Sequence, residues 1–218
     1  MLPNTYKKLE YIESSGGQAI STGVNCTSDI TFELKALALD TSSGSFIGAT
    51  RDARDNRMGV NDGKFYLLWG ESGGYSSFDA DNNWHVYKLD SGRQYLDGND
   101  LFASGTKYSE IGINLFSRNY QFPTYAKGRM AYCKMYSNGT LIRDFVPALR
   151  KSDSVPGLYD LVNDRFYTNI GSGQFTYKVA GNAYIKINGS WKQGMAYVKT
   201  NGTWKQGIAK AKVNGAWK

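Results

Sequence analysis

Residues Asp29 to Leu39 read DITFELKALAL. Apolar and polar side chains alternate there, with Ile30, Phe32 and Leu34 on one face, the period of two that marks a half-buried strand. Working outward from this stretch, strand-like segments return at short intervals. Gln18 to Val24 (QAISTGV), Ser45 to Thr50 (SFIGAT), Trp84 to Asp90 (WHVYKLD), Arg93 to Leu96 (RQYL), Ile111 to Phe116, Gly128 to Tyr136 and Leu141 to Pro147 all read as strands. Arg57 to Trp69 (RMGVNDGKFYLLW) reads as a hairpin turning at Asp62-Gly63, with further turns at Asp97-Gly98 and Asn138-Gly139. Asp-Gly and Asn-Gly suit such turns because both central residues need positive φ. Strands spaced by about 8–12 residues, with turn signals between them, indicate an antiparallel sandwich or jelly roll. Three connections, Thr50–Asn56, Gly70–Asn83 and Arg118–Lys127, are long for hairpin loops, and long loops on a rigid sandwich are where binding residues tend to sit.

The C-terminus follows a different rule. One 13-residue unit is written almost three times: YIKINGSWKQGMA from Tyr184, YVKTNGTWKQGIA from Tyr197, and KAKVNGAWK from Lys210 to Lys218. Each copy has an Asn-Gly pair between short alternating segments and reads as a small β-hairpin. A two-residue turn at Asn188-Gly189 sets Lys186 opposite Trp191, and the same register sets Lys199 opposite Trp204 and Lys212 opposite Trp217. The Lys either lies over the indole as a cation or shields the ring with its stem. Thirteen is odd, so a continuous ladder would flip faces at every copy; Gly194 and Gly207 are placed to absorb the extra residue. Such units bury too little alone and stack on each other or on a partner. The reading is therefore residues 1–177 as the main domain and residues 178–218 as an assembly or docking tail.

Composition agrees. The chain has 218 residues, 14% aromatic, with 25 Gly, 4 Pro and only five Glu, and no segment keeps a helical period. That suits one large all-β domain with an appendage. The net charge of +7 belongs to the tail: from Lys178 onward there are eight Lys and no acid, and residues 1–177 sum to −1. A basic, aromatic tail could hold nucleic acid, but it contains no Arg and its Trp are tied to the hairpin period, so an acidic protein partner or simple solubility is the expectation. Cys26 and Cys133 read as buried free thiols unless the fold brings them together. The start, MLPNTYKKLEYIESSGG, has no apolar run, and nothing approaches a membrane span, so synthesis in a cytosol without a classical export signal is expected.

Three segments carry a resemblance: Leu9 to Val24 (LEYIESSGGQAISTGV), Trp84 to Gly98 (WHVYKLDSGRQYLDG), and Lys127 to Phe175, with its stretch RDFVPALRKSDSVPGLYDLVNDRFYTNIGSGQF. They look like the LamG-like, concanavalin A-like jelly-roll domains of structural proteins from phages and prophages of Gram-positive bacteria. The tail's NG-x-W-K copies resemble C-terminal repeats of such proteins. The resemblance implies a concanavalin A-like jelly roll in a virion protein. Function does not follow from the scaffold.

The chemistry in the chain points to binding. Glycan-cutting jelly rolls need a carboxylate pair facing one cleft, and no Glu-x-Asp-x-x-Glu run is present. The single histidine, His85, sits in a strand beside Trp84 and reads as a packed or satisfied residue, so no catalytic residue is expected. Glycan binding uses rings that stack on sugar faces and charged side chains that bond hydroxyls. The set Arg51, Arg54, Arg57, Trp69, Tyr75, Tyr120 and Tyr125 offers both, although Trp69 and Trp84 read equally well as core. No cofactor is expected except calcium, which related lectin-type domains often hold and for which Asp52, Asp55, Asn61 and Asp62 are the candidates. The function expected is a phage virion structural protein of tail-fibre, receptor-binding or decoration type. Its jelly roll would bind host-surface carbohydrate, and its tail would join other virion proteins in a homo-oligomer, with a trimer favoured. The alternatives are a cement protein that binds no sugar and, last, a carbohydrate-active enzyme.

Overall fold

The computed structural model describes residues 1–51, 54–119, 124–180, 183–187, 190–194, 196–200, 202–206, 212–213 and 216–217, and none of them is helical. Residues Met1–Lys178 and Val179–Lys218 form separate compact units. The strands of the first unit are β1 (Tyr6–Ser15), β2 (Ile20–Asn25), β3 (Ile30–Ala38), β4 (Ser43–Gly48), β5 (Arg57–Asn61), β6 (Lys64–Trp69), β7 (Ser72–Asp79) and β8 (Trp84–Asp90), continuing with β9 (Arg93–Leu96), β10 (Asn99–Ala103), β11 (Gly112–Leu115), β12 (Lys127–Ser137), β13 (Thr140–Arg150), β14 (Val155–Asp160), β15 (Arg165–Tyr167) and β16 (Thr176–Val179). They make two antiparallel sheets. The larger runs β10-β9-β8-β3-β12-β1-β13-β14-β15, with β16 also on β1; the smaller runs β2-β11-β4-β5-β6-β7. Consecutive strands thus cross repeatedly between sheets, the architecture of a jelly-roll-like β-sandwich.

The alternation seen in residues 29–39 is realised in β3. Ile30, Phe32, Leu34 and Ala36 are buried, and Thr31, Glu33 and Lys35 are not. Rings from the two sheets meet in the core: Phe32 and Trp69 at 4.8 Å, Phe46 and Tyr87 at 5.7 Å, Phe65 and Tyr87 at 6.2 Å. Burying each such side chain contributes roughly 1.5–3 kcal/mol. Gly128 of β12 is packed so closely that a Cβ there would lie 2.3 Å from the Leu37 carbonyl oxygen and 2.7 Å from the Phe46 ring. The turns form as their sequences require: Asp62-Gly63, Asp97-Gly98 and Asn138-Gly139 have φ of 50° and 73°, 50° and 81°, 48° and 75°.

Cys26 and Cys133 are buried and unpaired. Burial pushes the Cys26 thiol up to about 11 and raises that of Cys133 as well, so both are held as inert thiols. The buried carboxylate of Asp160 is fully engaged: it accepts from the backbone N–H of Asp144 and of Val162 at 3.0 Å each and from Asn163 Nδ2 at 2.7 Å, with Arg143 at 3.6 Å.

The long connection expected over Gly70–Asn83 is largely the edge strand β7, paired to β6 from Trp69↔Ser72 to Lys64↔Asp79. In the second unit the backbone forms three separate hairpins: β17 (Ala183–Ile187) with β18 (Ser190–Gly194), β19 (Tyr197–Thr200) with β20 (Thr203–Gln206), and β21 (Lys212–Val213) with β22 (Ala216–Trp217). The register sets Lys186 opposite Trp191, Lys199 opposite Trp204 and Lys212 opposite Trp217. Among the described residues no ladder joins one copy to the next. Gly207 lies outside the described residues.

Candidate functional site

The outer face of the smaller sheet carries one connected polar and aromatic strip. In β5 and β6 the inward side chains Met58, Val60, Phe65, Leu67 and Trp69 are fully or almost fully buried. Their neighbours Arg57, Asn61, Lys64, Tyr66 and Leu68 are half-buried and face away from the core. The register places Tyr66 opposite Gly59 on one side and opposite Tyr75 of β7 on the other. The Tyr66 and Tyr75 rings meet edge to face at 5.0 Å, and the Arg57 guanidinium sits 4.4 Å from the Tyr66 centroid. Tyr75 is 49% exposed, so this ladder of contacts opens onto solvent.

Each end of the strip has its own chemistry. At one end Asp55 accepts from Arg57 Nε at 3.0 Å and from Thr50 Oγ1 at 2.6 Å, with Arg118 Nη1 at 3.8 Å. Gly48 makes this crowding possible, because a Cβ there would come within 2.9 Å of Arg118 Cβ and 3.1 Å of Arg57 Cβ. At the other end the Tyr75 hydroxyl donates to Asp62 at 2.9 Å and accepts from the Asn61 amide. The bond to the Asp62 carboxylate raises the Tyr75 phenol above its ordinary value. Beyond it Lys64 pairs with Asp79 at 2.5 Å.

Of the residues expected to bind, Arg57 and Tyr75 are brought together in this strip. Trp69 is not on it: its ring is completely buried against Phe32, because it shares the inward parity of Phe65 and Leu67. Arg51 and Arg54 pair through their backbones, and Arg54 turns to a different hollow, donating to the Tyr108 carbonyl at 3.3 Å beside Thr27, Thr106 and Lys107. Tyr125 is half-buried, its backbone bridged to Ser45 and Ser117. Tyr120 and Asp52 lie outside the described residues. Tyr66 and Arg118 are among the members of the strip that went unread in the sequence. Tyr66 carried a signal, the outward parity it shares with Lys64. Arg118 carried none, because its place depends on the bridge of Ala49 to Asn119, distant in sequence.

No protein-family model and no curated protein matches the chain. The strip's chemistry therefore rests on its own geometry.

Of the acidic candidates for calcium, Asp55, Asn61 and Asp62 are described and Asp52 is not. Asp55 already faces two guanidiniums, and β5 separates it from Asn61 and Asp62.

His85 is a satisfied ring, partnered at both nitrogens. Its Nδ1 lies 2.6 Å from Asp97 and its Nε2 2.7 Å from Asp81, with Phe65 edge-on at 4.6 Å. Burial works to lower the imidazole pKa, but the two carboxylates outweigh it and the net direction is up. The His85 bond, with help from Asn83, holds Asp81 down to about 2. A ring with both nitrogens facing carboxylates is suited to the doubly protonated form and to fastening the turn before β8.

Proposed function

We propose that this chain is a carbohydrate-binding structural protein of a phage particle or phage-like assembly. Its sandwich holds sugar on the Arg57–Tyr66–Tyr75 strip, and its hairpin tail joins it to other proteins of the particle. The observation that carries the binding half is the strip itself: two tyrosine rings in contact, one of them half exposed, ending at each side in charged hydrogen-bonding groups. Sugar faces stack on rings, and hydroxyls bond to carboxylates, amides and guanidiniums placed beside them. A shallow, open strip favours weak single-site binding, and many copies on one particle would convert it into firm attachment.

Binding without turnover is favoured because the strip's carboxylates are already engaged, Asp55 with arginine and Asp62 with Tyr75. The assembly half, including a concanavalin A-like relationship, is supported by the sequence resemblance and by three hairpins of identical Lys–Trp register, each too small to be stable alone. A glycan array probed with the full chain tests the first half, and electron microscopy of particles labelled through this chain tests the second. An array without signal removes the sugar-binding role. Particles without label remove the virion role.

A further inference from the structure

We infer that the sugar bound on this strip carries a protonated amine, and that the Asp62 end receives it. The inference rests on the glycan-binding reading above and names the ligand class. Asn61 Nδ2 donates to Asp62 at 3.1 Å and to the Tyr75 hydroxyl, and that hydroxyl donates to Asp62 at 2.9 Å. The side-chain donors of this corner are thus spent on one another. Both bonds to Asp62 fall on Oδ2, and Oδ1 accepts from no described residue. The cations flanking the corner are matched elsewhere, Lys64 with Asp79 at 2.5 Å and Lys127 with Asp40 at 3.2 Å. What the corner offers a ligand is acceptors and the charge of one carboxylate. An ammonium has N–H donors and no acceptor, so it matches that offer, and its charge makes the bond to a carboxylate stronger than a hydroxyl's.

The corner is also held ready. Asp62 opens the turn before β6 with φ of 50°, and its backbone N–H donates to the Ser42 carbonyl at 2.7 Å. Tyr75 is fixed through its hydroxyl and by its edge-to-face contact with Tyr66 at 5.0 Å, yet stays 49% exposed. Little rotamer freedom is left to lose on binding. An open ring beside a carboxylate suits a cation twice over, because the ring face attracts the charge that the carboxylate bonds. Non-specific attraction runs the other way, since the chain carries a net charge of +7. A preference for amines therefore reports a local site.

The test is an array of matched hexose glycans, each printed with a hydroxyl, a free amine or an N-acetylated amine at one position. It is probed with the full chain at mildly acidic pH, where a free amine holds its proton. Signal at least roughly tenfold stronger on free amines than on either counterpart is expected, the scale of one charge-assisted bond. Asp62→Asn suits the turn, because Asn tolerates positive φ and its carbonyl still accepts from Tyr75. That variant is expected to bring the ratio of amine to N-acetyl signal down to about one, the value for a corner without charge. Raised salt gives a second measurement on the wild type, whose amine preference must shrink as the charge is screened. A preference that persists in folded Asp62→Asn, or that salt leaves untouched, overturns the assignment to Asp62. Equal signal on all three forms overturns the amine and leaves the glycan reading standing. Silence on every member overturns both.

Discussion

The guanidinium of Arg57 lies 4.4 Å from the centre of the Tyr66 ring while its Nε donates to Asp55 at 3.0 Å, so one side chain joins the aromatic and the charged parts of the strip. A double-mutant cycle over Arg57→Ala and Tyr66→Ala, read by urea unfolding, is expected to give a coupling of about 0.5–1 kcal/mol. Additive effects of the two substitutions would show that the stack carries no energy.

Gly128→Ala should destabilise the sandwich by about 1–3 kcal/mol, because the new methyl group meets both the Leu37 carbonyl and the Phe46 ring of the opposite sheet. Thermal unfolding checks this. A variant as stable as the wild type would mean that the sheets part at this point without cost.

The His85 clamp sets a pH dependence. Its folded pKa lies above the unfolded value of about 6.5, so its contribution to stability is complete below that pH and is lost as pH rises through the folded pKa. Asp81 works from the other side: held down to about 2, it stabilises above its unfolded value near 3.9 and loses that contribution as pH falls toward 2. The wild-type melting temperature is expected to fall between pH 6 and pH 9 relative to His85→Gln. Because the chain has one histidine, a single imidazole resonance should titrate above the ordinary range. Parallel pH profiles for wild type and variant would remove the clamp.

The tail is expected to hold copies of the chain together, most simply as a trimer. Trp191→Ala, Trp204→Ala and Trp217→Ala together should abolish oligomers in light scattering while leaving the melting of the sandwich in place. An unchanged oligomer, or a wild-type monomer at high concentration, contradicts that role.

Residues 29–39, the turns at Asp62-Gly63, Asp97-Gly98 and Asn138-Gly139, and the Lys–Trp register of the tail were legible because period and turn chemistry are local properties. The strand β7 was not: SGGYSSFD has no alternation, and it is a strand only because β6 offers it an edge. Trp69 illustrates the same limit on the site. Its loop-flanking position suggested a ligand, while the parity of Phe65, Leu67 and Trp69 already pointed it inward. Asp55 and Arg118 meet through loops that no short-range rule connects.

The proposed sugar binding on the outer face of the smaller sheet stands or falls on the affinity of the full chain and of a Tyr66→Ala/Tyr75→Ala variant for the glycan that gives the strongest array signal. The variant is expected to keep its fold and to lose at least about tenfold in affinity, about 1.4 kcal/mol. Unchanged affinity in a folded variant would place the sugar elsewhere and contradict it.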